Sequence, residues 1–189
     1  MEESIKTPGD AATEETVATA EEAAAATQEA AAATQEAAAA KVASRLSDLQ
    51  LIMHAFDIPQ QDYRSFSALT LAYIGDCIFD LVIRTVVVMH SHKQVNDLHK
   101  KTTHFVKAEA QAVMMQGLLD SDILTEEETA VYKRGRNTKS HTVAKNASVA
   151  AYRKATGFEA MLGYLYLTGQ MERILELTKA GIAYTDLTL

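Results

Sequence analysis

Two acidic residues, Asp76 and Glu159, are the residues best placed to do chemistry, because each interrupts an apolar stretch of helical character. An ionised carboxylate among apolar neighbours is costly unless it is paired or bound to a cation. Two such acids on different helices, each near a small residue that lets backbones approach, can share a divalent metal ion. Hard oxygen ligands without a Cys/His cluster favour Mg²⁺ or Mn²⁺ over Zn²⁺. Taken alone, isolated acids are more often helix caps or members of buried ion pairs, and that alternative stays open.

A basic segment leads directly to Glu159. Residues 133–154 contain seven lysines and arginines, one histidine and no acid. Gly135 and Gly157 relax the backbone near its two ends, and neutral Ser, Thr and Asn side chains add hydrogen-bond donors for phosphates. Lys100 and Lys101 begin a second, smaller basic patch. This pattern favours binding of a phosphate polyanion, and the alternative is a solvated basic face without a ligand.

Other reactive side chains give weaker signals. Cys77 is the single cysteine and has no basic neighbour in sequence, so it is predicted to be a small core residue and not a nucleophile. Asp80 lies one helical turn after Asp76, where it could support that acid or form a salt bridge of its own. Tyr132 directly precedes the basic segment and Tyr152 lies near its end; core packing is the default for both, and contact with a nucleic acid is the alternative.

The charge distribution divides the chain. The net charge is −7, but residues 1–40 carry nine acids and one lysine, so residues 41–189 sum to +1. One cysteine allows no intramolecular disulfide, which fits a reducing cytosol. The N-terminus lacks the pattern of a secretion signal, and no apolar run is long enough to span a membrane. These features predict a cytoplasmic protein with no membrane segment.

Composition predicts two regions. Residues 1–40 are an acidic, Ala-rich, low-complexity arm in which EAAAATQ occurs at 22–28 and again at 29–35. Alanine buries too little apolar surface for a coiled coil, so a partly helical, solvated spacer is expected. Residues 41–189 have the composition of a globular helical domain.

Apolar spacing at helical periods predicts that this domain is an all-α bundle. Helices are expected before Ile58, over about 66–89, over 96–119, from a capping box at Thr125, over 148–167 and over 171–180. Residues 135–146 are expected to be a loop. The helix at 66–89 is apolar on most faces and is therefore predicted to be central.

Four stretches, in order, resemble mini-ribonuclease III, the short bacterial and plastid branch of the ribonuclease III superfamily, which lacks a separate double-stranded-RNA-binding domain. They are LAYIGD at 71–76, VNDLHK at 95–100, RGRNTKS at 134–140, and TGFEAMLGYL at 156–165, the last preceded by a Tyr-Arg pair. The resemblance covers about residues 60–180. It implies the helical bundle of a ribonuclease III endonuclease domain, acting as a homodimer whose Mg²⁺-dependent sites line a valley for double-stranded RNA.

The resemblance also implies roles for individual residues. Asp76 and Glu159 would be catalytic and would ligate Mg²⁺. Full-length ribonuclease III enzymes have two further acids, and their positions hold Ala72 and Thr156 here, which leaves open how many metal ions bind. The residues expected to contact RNA are Lys100, Lys101, Lys133, Arg134, Arg136, Asn137, Lys139, Lys145 and Arg153.

The implied activity is hydrolysis of double-stranded RNA to 5′-phosphate products, with the base-paired stem of the 23S ribosomal RNA precursor as the natural substrate. Whether a large-subunit ribosomal protein presents that RNA stays open. The alternative is a non-catalytic RNA-binding scaffold for ribosome assembly with the same fold, suggested by Ala72 and Thr156. The presence of both Asp76 and Glu159 argues against a scaffold, which has no need for two desolvated acids.

Overall fold

A computed structural model describes residues 47–91, 94–138 and 148–188. Across these ranges the chain forms seven α-helices, one short 3₁₀ turn and no strand, which confirms the all-α prediction. None of the helices described is both long enough and apolar enough to cross a membrane. The acidic arm at 1–40 lies outside the described residues, so the division into arm and domain stays a prediction.

The helices follow one another through short connections. Their bounds are α1 Asp48–Ala55, α2 Ala68–Met89, α3 Val95–Val106, α4 Ala108–Asp120, α5 Glu126–Arg136, α6 Val149–Leu167 and α7 Met171–Ala183, with the 3₁₀ turn at Tyr63–Ser65. Side-chain caps start three of them, because a hydroxyl can accept from an otherwise unpaired N–H of the first turn. Ser67 caps α2, Ser148 caps α6, and Thr125 forms the predicted capping box with Glu128.

The prediction of a single helix over 96–119 is wrong in one respect, because the chain forms two helices there. Lys107 has an extended backbone (φ −68°, ψ 148°) and separates α3 from α4. The break lets the chain change direction, so that α3 packs against α2 while α4 packs against α6 and α7. The Gln111 amide donates to the Val106 carbonyl at 3.1 Å and so satisfies one of the free carbonyls at the end of α3. Gly135 also differs from expectation, because it lies inside α5 and not in a loop.

The central helix is α6, and the prediction that α2 is central is only half correct. α6 packs against α2, α4, α5 and α7, and almost all of its second half is buried. α2 buries one face and leaves an apolar stripe exposed on the other. Cys77 lies on that exposed stripe, so the prediction that it is a core residue is wrong. The stripe also contains Leu69, Tyr73, Leu81 and Val88.

A buried ion pair joins α7 to α5. The Arg173 Nε and Nη2 atoms donate to the two carboxylate oxygens of Glu128 at 2.8 and 3.0 Å, and Glu128 is only 3% exposed. Burial raises the pKa of Glu128, but hydrogen bonds from Arg173 and from the Thr125 backbone outweigh it and leave that pKa below its usual value. The pair therefore fixes the C-terminal helix to the start of α5.

Candidate active site

The two candidate acids lie where the backbones of α2 and α6 come into contact. A Cβ added to Gly75 would lie 1.8 Å from the Glu159 carbonyl oxygen and 2.7 Å from the Gly163 nitrogen. A Cβ added to Gly163 would lie 1.9 Å from the Leu71 carbonyl oxygen. Only hydrogen fits at both positions, so the helices approach more closely than any side chain would allow. Asp76 follows Gly75 directly, and the crossing therefore brings the backbones that carry Asp76 and Glu159 together.

The environment of the acids disfavours two free negative charges. Glu159 is partly buried, and burial together with the charge of Asp76 raises its pKa to about 8, against a smaller opposing effect of the Gln111 side chain. Asp76 is exposed as a residue, yet desolvation on its protein side, followed by the charge of Asp80, raises its pKa as well. Asp80 itself pairs with Arg84 on the next turn of α2. The negative charge of Asp76 thus acts on the Glu159 carboxyl group at the crossing of α2 and α6.

This pair fits a divalent cation that prefers oxygen. Carboxyl groups whose pKa values are raised by burial and by a nearby carboxylate become favourable ligands when a cation supplies the missing positive charge. Within the described residues, no group of three or more His, Cys, Asp or Glu side chains could hold a metal. Mg²⁺ does not need such a group, because it commonly binds through one or two carboxylates and completes its shell with water and substrate phosphates.

Ala72 and Thr156 add no ligand of their own to the pair. Both are buried, each with 6% exposure. The Thr156 hydroxyl donates to the Tyr152 carbonyl at 3.0 Å, so it is already engaged within α6. Asp76 and Glu159 are therefore the candidate acidic ligands at this crossing of α2 and α6.

The basic end of α5 lies beside the turn of α6 that carries Glu159. Gly135 packs so closely that its Cβ would lie 2.8 Å from both the Gly157 Cα and the Ala160 Cβ. The opposite face of this last turn of α5 is cationic and exposed. Cations at a helix C-terminus are favoured by the helix dipole. The predicted RNA-contacting residues of this cluster are Lys133, Arg134, Arg136 and Asn137.

Two arginines of this cluster are oriented by their neighbours. The Arg136 guanidinium lies 6.0 Å from the centroid of the Tyr132 ring and donates through Nε to the Asn137 side chain at 3.2 Å. Arg134 donates to the Arg64 carbonyl at 3.2 Å. Tyr132 is buried, with 1% exposure, and so packs in the core, which was the default prediction for it.

The remaining predicted RNA contacts are distributed elsewhere. Arg153 is exposed in the first part of α6, on the helix that carries Glu159. Lys100 and Lys101 lie on α3, which packs against α2 and not against the basic end of α5. Lys139 and Lys145 lie outside the described residues. The structure thus brings the α5 cluster to the Glu159 turn and leaves the α3 lysines as a separate patch.

Gln111 is the residue near the acids that sequence reasoning missed. It is 1% exposed on the buried face of α4, and its side chain opposes the rise in the pKa of Glu159. The available signal was a single amide between Ala110 and Ala112 in an otherwise apolar helix face. By contrast, a surface groove of about 580 Å³ between α4 and the start of α6 includes neither acid in its lining.

Several proteins resemble this chain in sequence and fold. The family described as Ribonuclease III domain matches residues 69–170, a range that includes both acids. A protein of Enterococcus faecalis named Mini-ribonuclease 3 is 53% identical over 117 residues, which cover 62% of this chain and 89% of that protein. A Clostridium tetani protein of the same name is 48% identical over 127 residues, which cover 67% and 83%. The crystal structure of protein FN1578 from Fusobacterium nucleatum aligns with a TM-score of 0.59 and 30% identity, covering 66% of this chain and 98% of that one.

Proposed function

The chain belongs to the ribonuclease III family, in its mini-ribonuclease III branch, and is therefore an endoribonuclease for double-stranded RNA; we propose that it cleaves with Mg²⁺ held by Asp76 and Glu159. The observation that carries this proposal is the close crossing of α2 and α6, which brings together the backbones that carry the two acids. A non-catalytic scaffold would not require that arrangement.

In the proposed mechanism the chain supplies ligands and orientation. Asp76 and Glu159 would hold the ion through their carboxylate oxygens, and Gly75 and Gly163 keep the two helices close enough for this. When bound, Mg²⁺ lowers the pKa of a water molecule and stabilises charge on the phosphate and the leaving 3′-oxygen. Glu159 would hold the ion as a carboxylate, so its proton would pass to solvent on binding. The expected products carry 5′-phosphates and 3′-hydroxyls.

The proposed RNA contacts are electrostatic and largely independent of base sequence. A-form RNA presents phosphates and 2′-hydroxyls to side chains, and the basic end of α5 lies next to the Glu159 turn. Replacing Arg136 by Ala is expected to weaken duplex binding and to reduce the slope of log affinity against log salt by about 1. The matched control is Lys179→Ala on α7, which removes an exposed cation outside the proposed surface. Equal effects of the two substitutions would contradict the assignment of Arg136 as an RNA contact. The same test applies to the other proposed contacts, Lys100, Lys101 and Arg153.

The exposed apolar stripe of α2 supports the proposal of a homodimer. Leu69, Tyr73, Leu81 and Val88 recur at helical spacing, with exposures of 41% to 78%, and a contiguous apolar face of this kind marks an interaction surface. We propose that this stripe packs against the same stripe of a second copy of the chain. The resemblance to dimeric ribonuclease III enzymes implies the same arrangement. Asp76 lies next to the stripe, so pairing would bring two sites into one particle.

The oligomeric state tests this directly. Sedimentation equilibrium of the wild type is expected to give the mass of a dimer, and Leu81→Glu the mass of a monomer. Leu175→Glu on α7 is the matched control, since Leu175 is similarly exposed, at 46%, but is not part of the stripe. A monomeric wild type, or a dimeric Leu81→Glu protein, would contradict the proposal.

The proposed natural substrate is the stem that flanks 23S ribosomal RNA in its precursor, which places the enzyme in the cytoplasm. Purified protein and Mg²⁺ should trim that transcript at the stem, with Glu159→Gln as the inactive control. Adding large-subunit ribosomal proteins to the same reaction tests the open question of an accessory partner. Cleavage of generic duplexes but not of this stem, with or without those proteins, would refute the substrate assignment.

A further inference from the structure

A further cationic side chain, Arg64, lies on the 3₁₀ turn at Tyr63–Ser65, outside the basic segment at 133–154. Its side chain is 78% exposed. The turn is held by local hydrogen bonds. The Asp62 carboxylate accepts from the Arg64 backbone N–H at 3.1 Å, and the Ser65 hydroxyl donates to the Asp62 carbonyl at 2.7 Å. Arg64 is therefore presented to solvent by an ordered turn.

Arg64 and Arg134 lie next to each other in a surface pocket. The Arg134 Nη1 atom donates to the Arg64 carbonyl at 3.2 Å, which joins the turn to the last part of α5. Both arginines line a pocket of about 230 Å³, whose lining also includes Glu127, Val131 and Tyr164. This volume is enough for a phosphate group and several water molecules. A guanidinium has five N–H donors, so the bond to the Arg64 carbonyl leaves Arg134 with donors for a ligand.

The one acid in the lining of this pocket does not cancel both arginines. The hydroxyl of Tyr164, which is only 4% exposed, donates to the Glu127 Oε1 atom at 2.6 Å. The same oxygen lies 3.6 Å from the Arg64 Nη2 atom, which is beyond hydrogen-bond distance. An exposed pair of this kind adds little to stability, so it does not by itself account for Arg64. Two guanidinium groups against one carboxylate leave the pocket with a net charge of +1.

The pocket adjoins the surface already proposed to bind RNA, because Arg134 belongs both to the pocket and to the basic end of α5. Val131, also in the lining, packs in one apolar cluster with Ala72 and with Ala160, the residue that follows Glu159. A phosphate in the pocket would therefore extend the contacts with RNA from the basic end of α5 to the 3₁₀ turn.

We propose that Arg64 and Arg134 together hold one phosphate group of the RNA backbone in this pocket. The inference rests on the proposed function, in which the basic end of α5 receives double-stranded RNA. Arginine suits this ligand because its planar fork can donate two parallel hydrogen bonds to phosphate oxygens. A phosphate contact reads no base, so it fixes the position of the duplex and not its sequence.

Two other roles of these arginines make different predictions. If Arg64 served only as the partner of Glu127, its loss would lower the melting temperature slightly and leave duplex affinity unchanged. If the two arginines contacted two separate phosphates, removing both would count as two phosphates in the salt dependence. The slope of log affinity against log salt scales with the number of phosphates that the protein neutralises. Duplex affinity measured over a range of salt concentrations therefore distinguishes the three roles.

The test uses Arg64→Ala, Arg134→Ala and the double variant in the full chain. Lys179→Ala is the matched control, because it removes an exposed cation on α7, outside the pocket. Affinity for a long RNA duplex is measured by fluorescence anisotropy in EDTA at several salt concentrations, and melting temperatures check folding. Arg64→Ala is expected to bind the duplex roughly 10-fold more weakly, with Lys179→Ala like the wild type. The double variant is expected to reduce the slope by about 1.

Wild-type duplex affinity in the folded Arg64→Ala protein would overturn the inference, and so would a slope reduced by about 2 in the double variant. Arg136→Ala is run in parallel to separate this failure from that of the proposed RNA surface. If Arg136→Ala binds weakly and Arg64→Ala binds normally, only the phosphate pocket fails. If both bind like the wild type, the RNA surface at α5 fails and the pocket fails with it. The metal site is tested separately, by cleavage with Glu159→Gln, because binding in EDTA does not involve it.

Discussion

Gly75→Ala is expected to damage the protein at the point on which the site depends. Alanine is the better helix former by about 1 kcal/mol, so an uncrowded glycine inside a helix would gain stability on this substitution. At position 75 the new methyl carbon would lie 1.8 Å from the Glu159 carbonyl oxygen and 2.7 Å from the Gly163 nitrogen. Both atoms are backbone, so no rotamer change relieves the overlap. α2 and α6 must move apart.

The magnitude follows from the kind of overlap. Inserting a methylene into a packed core costs about 1–3 kcal/mol when side chains can adjust, and more when they cannot. We therefore expect Gly75→Ala to lower the free energy of unfolding by at least about 3 kcal/mol, which for a domain of this size lowers the melting temperature by roughly 10 °C. Cleavage measured below that temperature should fall as well, because the same displacement separates Asp76 from Glu159.

Gly181→Ala is the control for this experiment. Its Cβ would lie 3.1 Å from the Met114 Cβ, a contact with a side chain and not with a backbone. Gly181→Ala should therefore lower the melting temperature much less than Gly75→Ala does. Circular dichroism at 222 nm during heating gives both melting temperatures. A Gly75→Ala protein that melts at or above the wild-type temperature would refute the close crossing of α2 and α6.

Two further predictions concern charged groups. Arg173→Met leaves the Glu128 carboxylate buried without its counter-charge and should lower the free energy of unfolding by about 3–5 kcal/mol in urea titrations. The control, Arg84→Met, breaks an exposed pair and should have little effect. Similar losses in the two variants would contradict the buried-pair interpretation. In the metal-free protein the pKa of Glu159 is raised from 4.5 to about 8, so the folded state binds its proton more tightly than the unfolded state. The resulting stabilisation is present below pH 4.5 and is lost as the pH rises towards 8, so the melting temperature of the wild type should fall over that range more steeply than that of Glu159→Gln. If the melting temperatures of the two proteins, measured in EDTA, fall in parallel as the pH rises, Glu159 does not titrate in this pH range.

Local signals in the sequence predicted much of the fold. Thr125 and Glu128 form the capping box that their spacing indicates, and α6 covers Val149–Leu167, close to the predicted 148–167. The proximity of Gly75 to the acids correctly indicated a close approach of backbones. These features depend on residues near one another in the chain or on a physical requirement, the absence of a Cβ, that is visible in the residue type.

Features that depend on which helix covers which face were not predictable. Apolar spacing continues across Lys107, and no proline or glycine marks the break between α3 and α4. Cys77 lies in an apolar helix, and periodicity does not distinguish a face covered by the same chain from one left exposed. The effect of Gln111 on the pKa of Glu159 joins residues 48 positions apart, so only the packing of α4 against α6 reveals it.

The most direct test of the central claim is cleavage of a long RNA duplex by purified protein, with and without Mg²⁺, beside Glu159→Gln. The wild type should produce fragments with 5′-phosphates only when Mg²⁺ is present, and Glu159→Gln should bind the duplex without cutting it. Equal cleavage by the two proteins, or binding without cleavage by both, would contradict the assignment of Asp76 and Glu159 as the catalytic pair.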